Sequence, residues 1–214
     1  LVFNPDGDDS LESRKLIGGN ATGIANLNSV KYTWASKLYN VMLNNFWIPQ
    51  KVSLVDDKTT IKELTADVLD AFKNTLSFLI ALDSMQTATL PHLSAYITAP
   101  EVNALFTLQE FQEQIHSQSY QYILQELFPN LEREAIYDRW RSNPTLLKRN
   151  KTIAEPYQTF VDNPNKENFK RAIAADYALE GLFFYNGFNY FYQLESRNKG
   201  VGVASIIQYI ENDE

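Results

Sequence analysis

The chain contains no cysteine. That excludes disulfide cross-links, thiolate zinc sites, iron–sulfur clusters and a cysteine nucleophile within it. It has no glycine-rich phosphate loop, so a nucleotide cradled by backbone amides is not expected. Apolar runs such as Leu79–Leu82 fall far short of the ~20 residues of a membrane-spanning helix. The opening Leu1-Val2-Phe3-Asn4-Pro5-Asp6-Gly7 lacks a basic region followed by an apolar stretch, so no signal peptide is expected. No useful length of strand-like alternation, fixed-period repeat or low-complexity tract is present. Positive charge is in deficit: Lys plus Arg is 19 against 26 Asp plus Glu, a net −7, which argues against a nucleic-acid or anionic-membrane binder. What remains, 214 residues of which 44% are hydrophobic and 21% charged, suits one globular domain.

Residues 1–28 hold Asn4-Pro5-Asp6-Gly7, Gly18-Gly19-Asn20 and Gly23 and read as an irregular arm; residues 29–214 read as the folded domain. Apolar spacing predicts helices over Val30–Asn45 (closed by Pro49), Thr59 to about Gln86, and Pro100–Phe128, with Pro91 and Pro100 bracketing a connector. Further helices are expected over Leu131 to about Arg149, Thr152–Asp162 and Asn165–Ser196. The turn Arg197-Asn198-Lys199-Gly200 precedes a last helix starting near Val203. The fold class is all-α, a bundle of long helices.

The polar residues that interrupt the apolar stripes carry the information. Asp83 continues the series Leu76, Leu79, Ile80; Glu113 and His116 share one face three residues apart; Glu180 sits in Tyr177-Ala178-Leu179-Glu180-Gly181-Leu182-Phe183-Phe184; Glu214 follows Ile206 and Ile210. A carboxylate on a core stripe is costly unless paired or bound to metal. Each has an ordinary explanation alone: Asp83 as a cap, Glu113-x-x-His116 as chance, Glu180 as half of an ion pair, Glu214 as a solvated acidic end. Four such acids on four helices, with an imidazole, point instead to a carboxylate-bridged metal centre in a bundle core. Hard oxygen plus imidazole without sulfur suits iron or manganese.

Five motifs then make a specific resemblance. Trp47 in Phe46-Trp47-Ile48-Pro49, Leu82-Asp83-Ser84-Met85-Gln86, Glu113-Gln114-Ile115-His116-Ser117-Gln118-Ser119-Tyr120, Ala178-Leu179-Glu180-Gly181 and Asn212-Asp213-Glu214 are similar, in order and spacing, to the radical-generating small (β) subunit of class I ribonucleotide reductase. The resemblance implies a ferritin-like di-metal carboxylate bundle. Asp83, Glu113 and His116 are implied to hold one metal, and Glu180 and Glu214 the second, with Glu113 and Glu214 between the ions. It further implies a dinuclear Fe2, Mn2 or Mn/Fe centre activated by O2 or a reduced oxygen species. Tyr120 would be the radical site, shielded by Phe184, Phe188 and Ile210. Trp47 would carry electrons near the surface, with Asp213 linking it to His116. Taken without the motif, Tyr120 and Trp47 read as ordinary core aromatics.

As partners the resemblance implies a large catalytic (α) subunit and a second copy of the chain, with no nucleic acid or membrane; as location, the cytoplasm. It also implies a histidine three positions after Glu214, later helices and a docking tail, none of which these residues contain. The chain is therefore expected to be a fragment with an incomplete second metal site and weak metal binding. Two other expectations compete: an R2-like ligand-binding or ferritin-like di-metal oxidase, and a non-catalytic helical remnant. Trp47 with Asp213, and Tyr120 just after the Glu-x-x-His run, favour the reductase.

Overall fold

The computed structural model describes residues 3–214, so Leu1 and Val2 of the expected arm lie outside the described residues. Nine α-helices account for the described chain: α1 (Thr33–Asn44), α2 (Asp57–Thr60), α3 (Ala66–Tyr96), α4 (Pro100–Leu127), α5 (Asn130–Ser142), α6 (Pro144–Asp162), α7 (Lys166–Ala178), α8 (Tyr185–Glu195) and α9 (Val201–Asp213). Single 3-10 turns cover Pro49–Lys51 and Ile61–Glu63, and a π-helical segment, Leu179–Phe184, joins α7 to α8. The described residues contain no β-strand; one isolated bridge, Ile17 to Ile97, ties the arm to the end of α3.

Helix α3 lies along α4 and also meets α5, α6 and α8, which puts its apolar stripe at the centre. Leu76, Leu79 and Leu82 on that stripe are fully buried, as are Phe184, Phe188 and Ile210 from the elements packed around them.

Four sequence expectations are corrected. Helix α3 does not stop near Gln86 but continues through Pro91 to Tyr96. The Pro91 ring is exposed while Leu90 and Leu93 are fully buried. Burying two leucines, each worth about 1.5–3 kcal/mol, offsets the ~3 kcal/mol cost of an interior proline. The break after α5 falls at Asn143, not near Arg149. Pro144 disfavours helical geometry at the residue before it, and the Asn143 side chain accepts from Thr145 N (3.1 Å) and Leu146 N (3.3 Å), capping α6. The expected single helix Asn165–Ser196 is interrupted by the π segment, which carries Glu180. The short helices between Asp57 and Glu63 end at Leu64, whose backbone is extended, so α3 begins later than Thr59.

The arm has no regular structure among its described residues, but it is pinned. Arg14, 4% exposed, pairs with buried Glu101 at 3.2 Å, and Glu101 also accepts from Lys31 N (2.9 Å) and Tyr32 N (3.0 Å). At the other end, α9 is seated by buried Asp57, which accepts from Gly202 N (3.2 Å) and Val203 N (2.7 Å). No helix among the described residues is long and apolar enough to cross a membrane.

Candidate metal centre

Each acid singled out in the sequence reaches the core from a different element. Asp83 comes from α3, Glu113 and His116 from α4, Glu180 from the π segment and Glu214 from the end of α9. Asp83 is 0% exposed, Glu113 1% and His116 1%. One ligand atom from each of Asp83, Glu113, His116 and Glu214 lies within 4.8 Å of the others. Glu180 lies outside that tight group, at its edge, close enough for the Glu214 charge to act on it. Its place in a π turn fits the tendency of such bulges to occur at functional sites.

The two nitrogens of His116 have different surroundings. Nε2 sits 3.1 Å from Asp213 Oδ2. Nδ1 faces Glu214 Oε1 at 3.2 Å and Asp83 Oδ1 and Glu113 Oε2 at 3.4 Å each, yet forms no hydrogen bond of good geometry. Both Asp83 oxygens, Glu113 Oε2, Glu180 Oε2 and Glu214 Oε1 are likewise buried without a hydrogen-bond partner. Buried polar atoms are rarely left so, and here those of Asp83, Glu113, His116 and Glu214 converge, with Glu180 beside them. A cation fits there: it would bind unpaired oxygens of Asp83, Glu113 and Glu214 together with Nδ1, while Nε2–H donates to Asp213 as metal-ligating histidines do.

The electrostatics agree. Burial pushes the Asp83 carboxyl up, and burial with the Glu214 charge pushes Glu113 and Glu180 well above the usual range. Burial pulls His116 down, but Asp213, Asp83, Glu113 and Glu214 around it outweigh that and hold it well above its ordinary value. Crowded acids that resist ionising are what a divalent ion relieves.

Tyr120, 1% exposed, is held well above its ordinary value by burial and then by the Asp83 charge. Its hydroxyl makes no well-formed hydrogen bond. Phe184 and Phe188 stack on each other with centroids 5.6 Å apart, and with Ile210 they belong to the same buried core as Tyr120. On the opposite side of His116, Trp47 is 6% exposed; its Nε1 donates to Asp213 Oδ2 at 2.8 Å, and its ring lies 6.3 Å from the imidazole.

Several partners escaped the sequence reading. Asn45 and Gln112 donate to Asp213 Oδ1 at 2.5 and 3.0 Å. Tyr209, 44% exposed, stacks on Trp47 with centroids 5.1 Å apart. Gln86 donates to both Asp176 and Glu180 and accepts from Tyr157 at 2.5 Å. The signal was helical spacing: Gln86 follows Asp83 by three, Gln112 precedes His116 by four and Asp176 precedes Glu180 by four.

Comparison with known proteins agrees with this geometry. Residues 24–214 match the family model described as "Ribonucleotide reductase, small chain". The chain is 44% identical over 216 residues to the ribonucleoside-diphosphate reductase subunit beta of Aquifex aeolicus, covering 100% of this chain and 31% of that one. It is 43% identical over 213 residues to the subunit of the same name from Treponema pallidum, covering 100% of this chain and 61% of that one. The chain thus spans less than two thirds of these curated relatives. A solved ribonucleotide reductase R2 subunit from Clostridium botulinum superposes with a TM-score of 0.95 at 45% identity, covering 100% of this chain and 67% of that one. The all-α bundle is therefore the ferritin-like R2 fold.

Proposed function

The chain belongs to the ribonucleotide reductase small-chain family, and on that footing we propose that it supplies the radical-generating core of a class I ribonucleoside-diphosphate reductase. The observation that carries this is the convergence of unpaired carboxylate oxygens and His116 Nδ1 beside a buried tyrosine, with His116 linked outward to Trp47 through Asp213.

Asp83, Glu113, His116, Glu180 and Glu214 would hold a dinuclear Fe2, Mn2 or Mn/Fe centre, which when bound supplies the oxidising power drawn from O2 or a reduced oxygen species. The chain's own residues do the rest. The packed bundle excludes water from the site. Tyr120 lies one helical turn beyond His116, which keeps its phenol beside Asp83; oxidation to a radical removes one electron and the hydroxyl proton. The buried Phe184, Phe188 and Ile210 keep solvent and reductants from that ring. Asp213 joins the imidazole to the indole through one shared oxygen, giving a continuous polar path from the centre to Trp47.

The radical would pass to a large catalytic subunit that reduces the ribonucleotide, so thiol chemistry belongs to that partner. We assign 29–214 as the small-subunit domain with 1–28 as its arm, a homodimer as the assembly and the cytoplasm as the location. The Trp47–Asp213–His116 link favours this reading over a ligand-binding or ferritin-like oxidase.

The test is electron paramagnetic resonance on the natural full-length protein loaded with iron or manganese under oxidising conditions. A tyrosyl radical lost in Tyr120→Phe supports the assignment. A metal-loaded, oxidised protein without that radical overturns Tyr120 as its site.

A further inference from the structure

A buried polar network behind Glu180 has no part in the roles assigned above. Gln86 is 0% exposed, in the middle of α3, with every hydrogen-bonding group committed. Its Nε2 donates one proton to Asp176 Oδ1 and one to Glu180 Oε1. Its Oε1 accepts from the Tyr157 hydroxyl, 2.5 Å away, and that hydroxyl also lies 3.2 Å from Asp176 Oδ1. Tyr157 is 3% exposed and comes from α6; Asp176 comes from α7. Three helices therefore meet at one amide.

The amide can sit only one way round. Turning it over would press Oε1 against two carboxylate oxygens and strip Glu180 Oε1 of its donor. The oxygen held by Tyr157 fixes the nitrogen toward the acids.

The consequence falls on Glu180. Its Oε1 is occupied by Gln86, while its Oε2 is buried and unpartnered. The π turn that carries Glu180 breaks the regular helical register at this position, and the three χ angles of the side chain leave its carboxylate to be oriented by its partners. We infer that Gln86, oriented by Tyr157 and Asp176, is a positioning residue for Glu180: it holds one carboxylate oxygen and leaves the other facing the cation that Glu180 binds. The inference rests on the metal-centre reading above and assigns to Gln86 a selective effect on one ion of the pair. The tight cluster of Asp83, Glu113, His116 and Glu214 makes no hydrogen bond to Gln86 and is not expected to share that effect.

The experiment is an Mn(II) titration of the natural full-length protein, read by the resonance of free Mn(II) and by metal analysis after dialysis. Wild type should bind two ions per chain. Gln86→Met, of similar length and without donors, should weaken one of them by about 10–100-fold, the range for outer partners of metal ligands, and leave the other within about threefold. Tyr157→Phe keeps the ring, frees the amide to turn and should weaken the same ion by a smaller factor. Circular dichroism checks the fold, and if Gln86→Met does not fold, Tyr157→Phe decides. Two wild-type affinities in a folded variant, or equal weakening of both ions, would overturn the inference alone. Failure of wild type to bind Mn(II) or Fe(II) would overturn the metal-centre reading and the inference with it.

Discussion

Trp47 and His116 share one oxygen: the indole Nε1 and the imidazole Nε2 meet Asp213 Oδ2 at 2.8 and 3.1 Å. The other oxygen, Oδ1, takes Asn45 and Gln112. Asp213 thus accepts from both sides, and its adjacency to Glu214 couples this link to the metal centre at the end of α9.

Replacing Asp213 by Asn should expose that double dependence. The new amide nitrogen must face either Trp47 and His116 or Asn45 and Gln112, and all four are donors. At least one buried donor is then left unpaired, at about 1–3 kcal/mol. Urea denaturation of the metal-free protein should show that loss, and radical transfer to the large subunit should fall with it. A midpoint equal to wild type would contradict the assignment of donors around Asp213.

Tyr120→Phe should behave in the opposite sense for stability. The hydroxyl is buried and makes no well-formed hydrogen bond, so its removal discards a polar atom that gains little in the fold. The expected change is within about 1 kcal/mol, with the ring still filling its place, while the tyrosyl signal disappears. A large destabilisation would mean that the phenol has a structural partner.

The residues of the centre and those around it show what the sequence could yield. Asp83, Glu113, His116 and Glu214 stood out because acids on an apolar stripe are costly, and helical spacing alone places them on inward faces. Gln86 and Tyr157 did not stand out: an amide in a helix and a tyrosine in a mixed segment carry no such penalty until their burial is known. The π turn at Leu179–Phe184 was equally hidden, because its residues keep an ordinary apolar look and only the hydrogen-bond register changes. Pro91 misled because its cost is local, whereas the burial of Leu90 and Leu93 that offsets it is tertiary.

Gly202 should prove intolerant of a side chain. A Cβ there would lie 2.6 Å from the Ser53 carbonyl oxygen and 2.9 Å from Asp57 Oδ2, both part of the seat of α9. Backbone cannot give way as a flexible side chain can, so Gly202→Ala should cost about 1–3 kcal/mol. Asp57→Ala, which removes the acceptor for Gly202 N and Val203 N, should cost about 0.5–2 kcal/mol. Because α9 carries Asp213 and Glu214, both variants should also weaken metal binding. Thermal unfolding with and without Mn(II) measures the two effects, and unchanged midpoints would show that α9 is held elsewhere.

The pH dependence should reverse sign on metal loading. In the metal-free protein Asp83, Glu113 and Glu180 have folded values raised above 3.8, 4.5 and 4.5, chiefly by burial. His116 is raised above 6.5, its carboxylate neighbours outweighing burial. A raised value means that the folded state holds the proton more tightly. The resulting stabilisation is complete below the unfolded value and is lost as pH rises through the folded one. All four groups act in the same direction, so the urea midpoint in chelator should rise as the pH is lowered through the neutral and mildly acidic interval. Binding a cation needs these ligands unprotonated, so the extra stability given by saturating Mn(II) should shrink over the same interval. The two midpoint curves should therefore converge toward low pH. A metal-free midpoint that is flat or falling on acidification would mean that the buried acids are already paired within the fold, removing the electrostatic reason for a metal at this site.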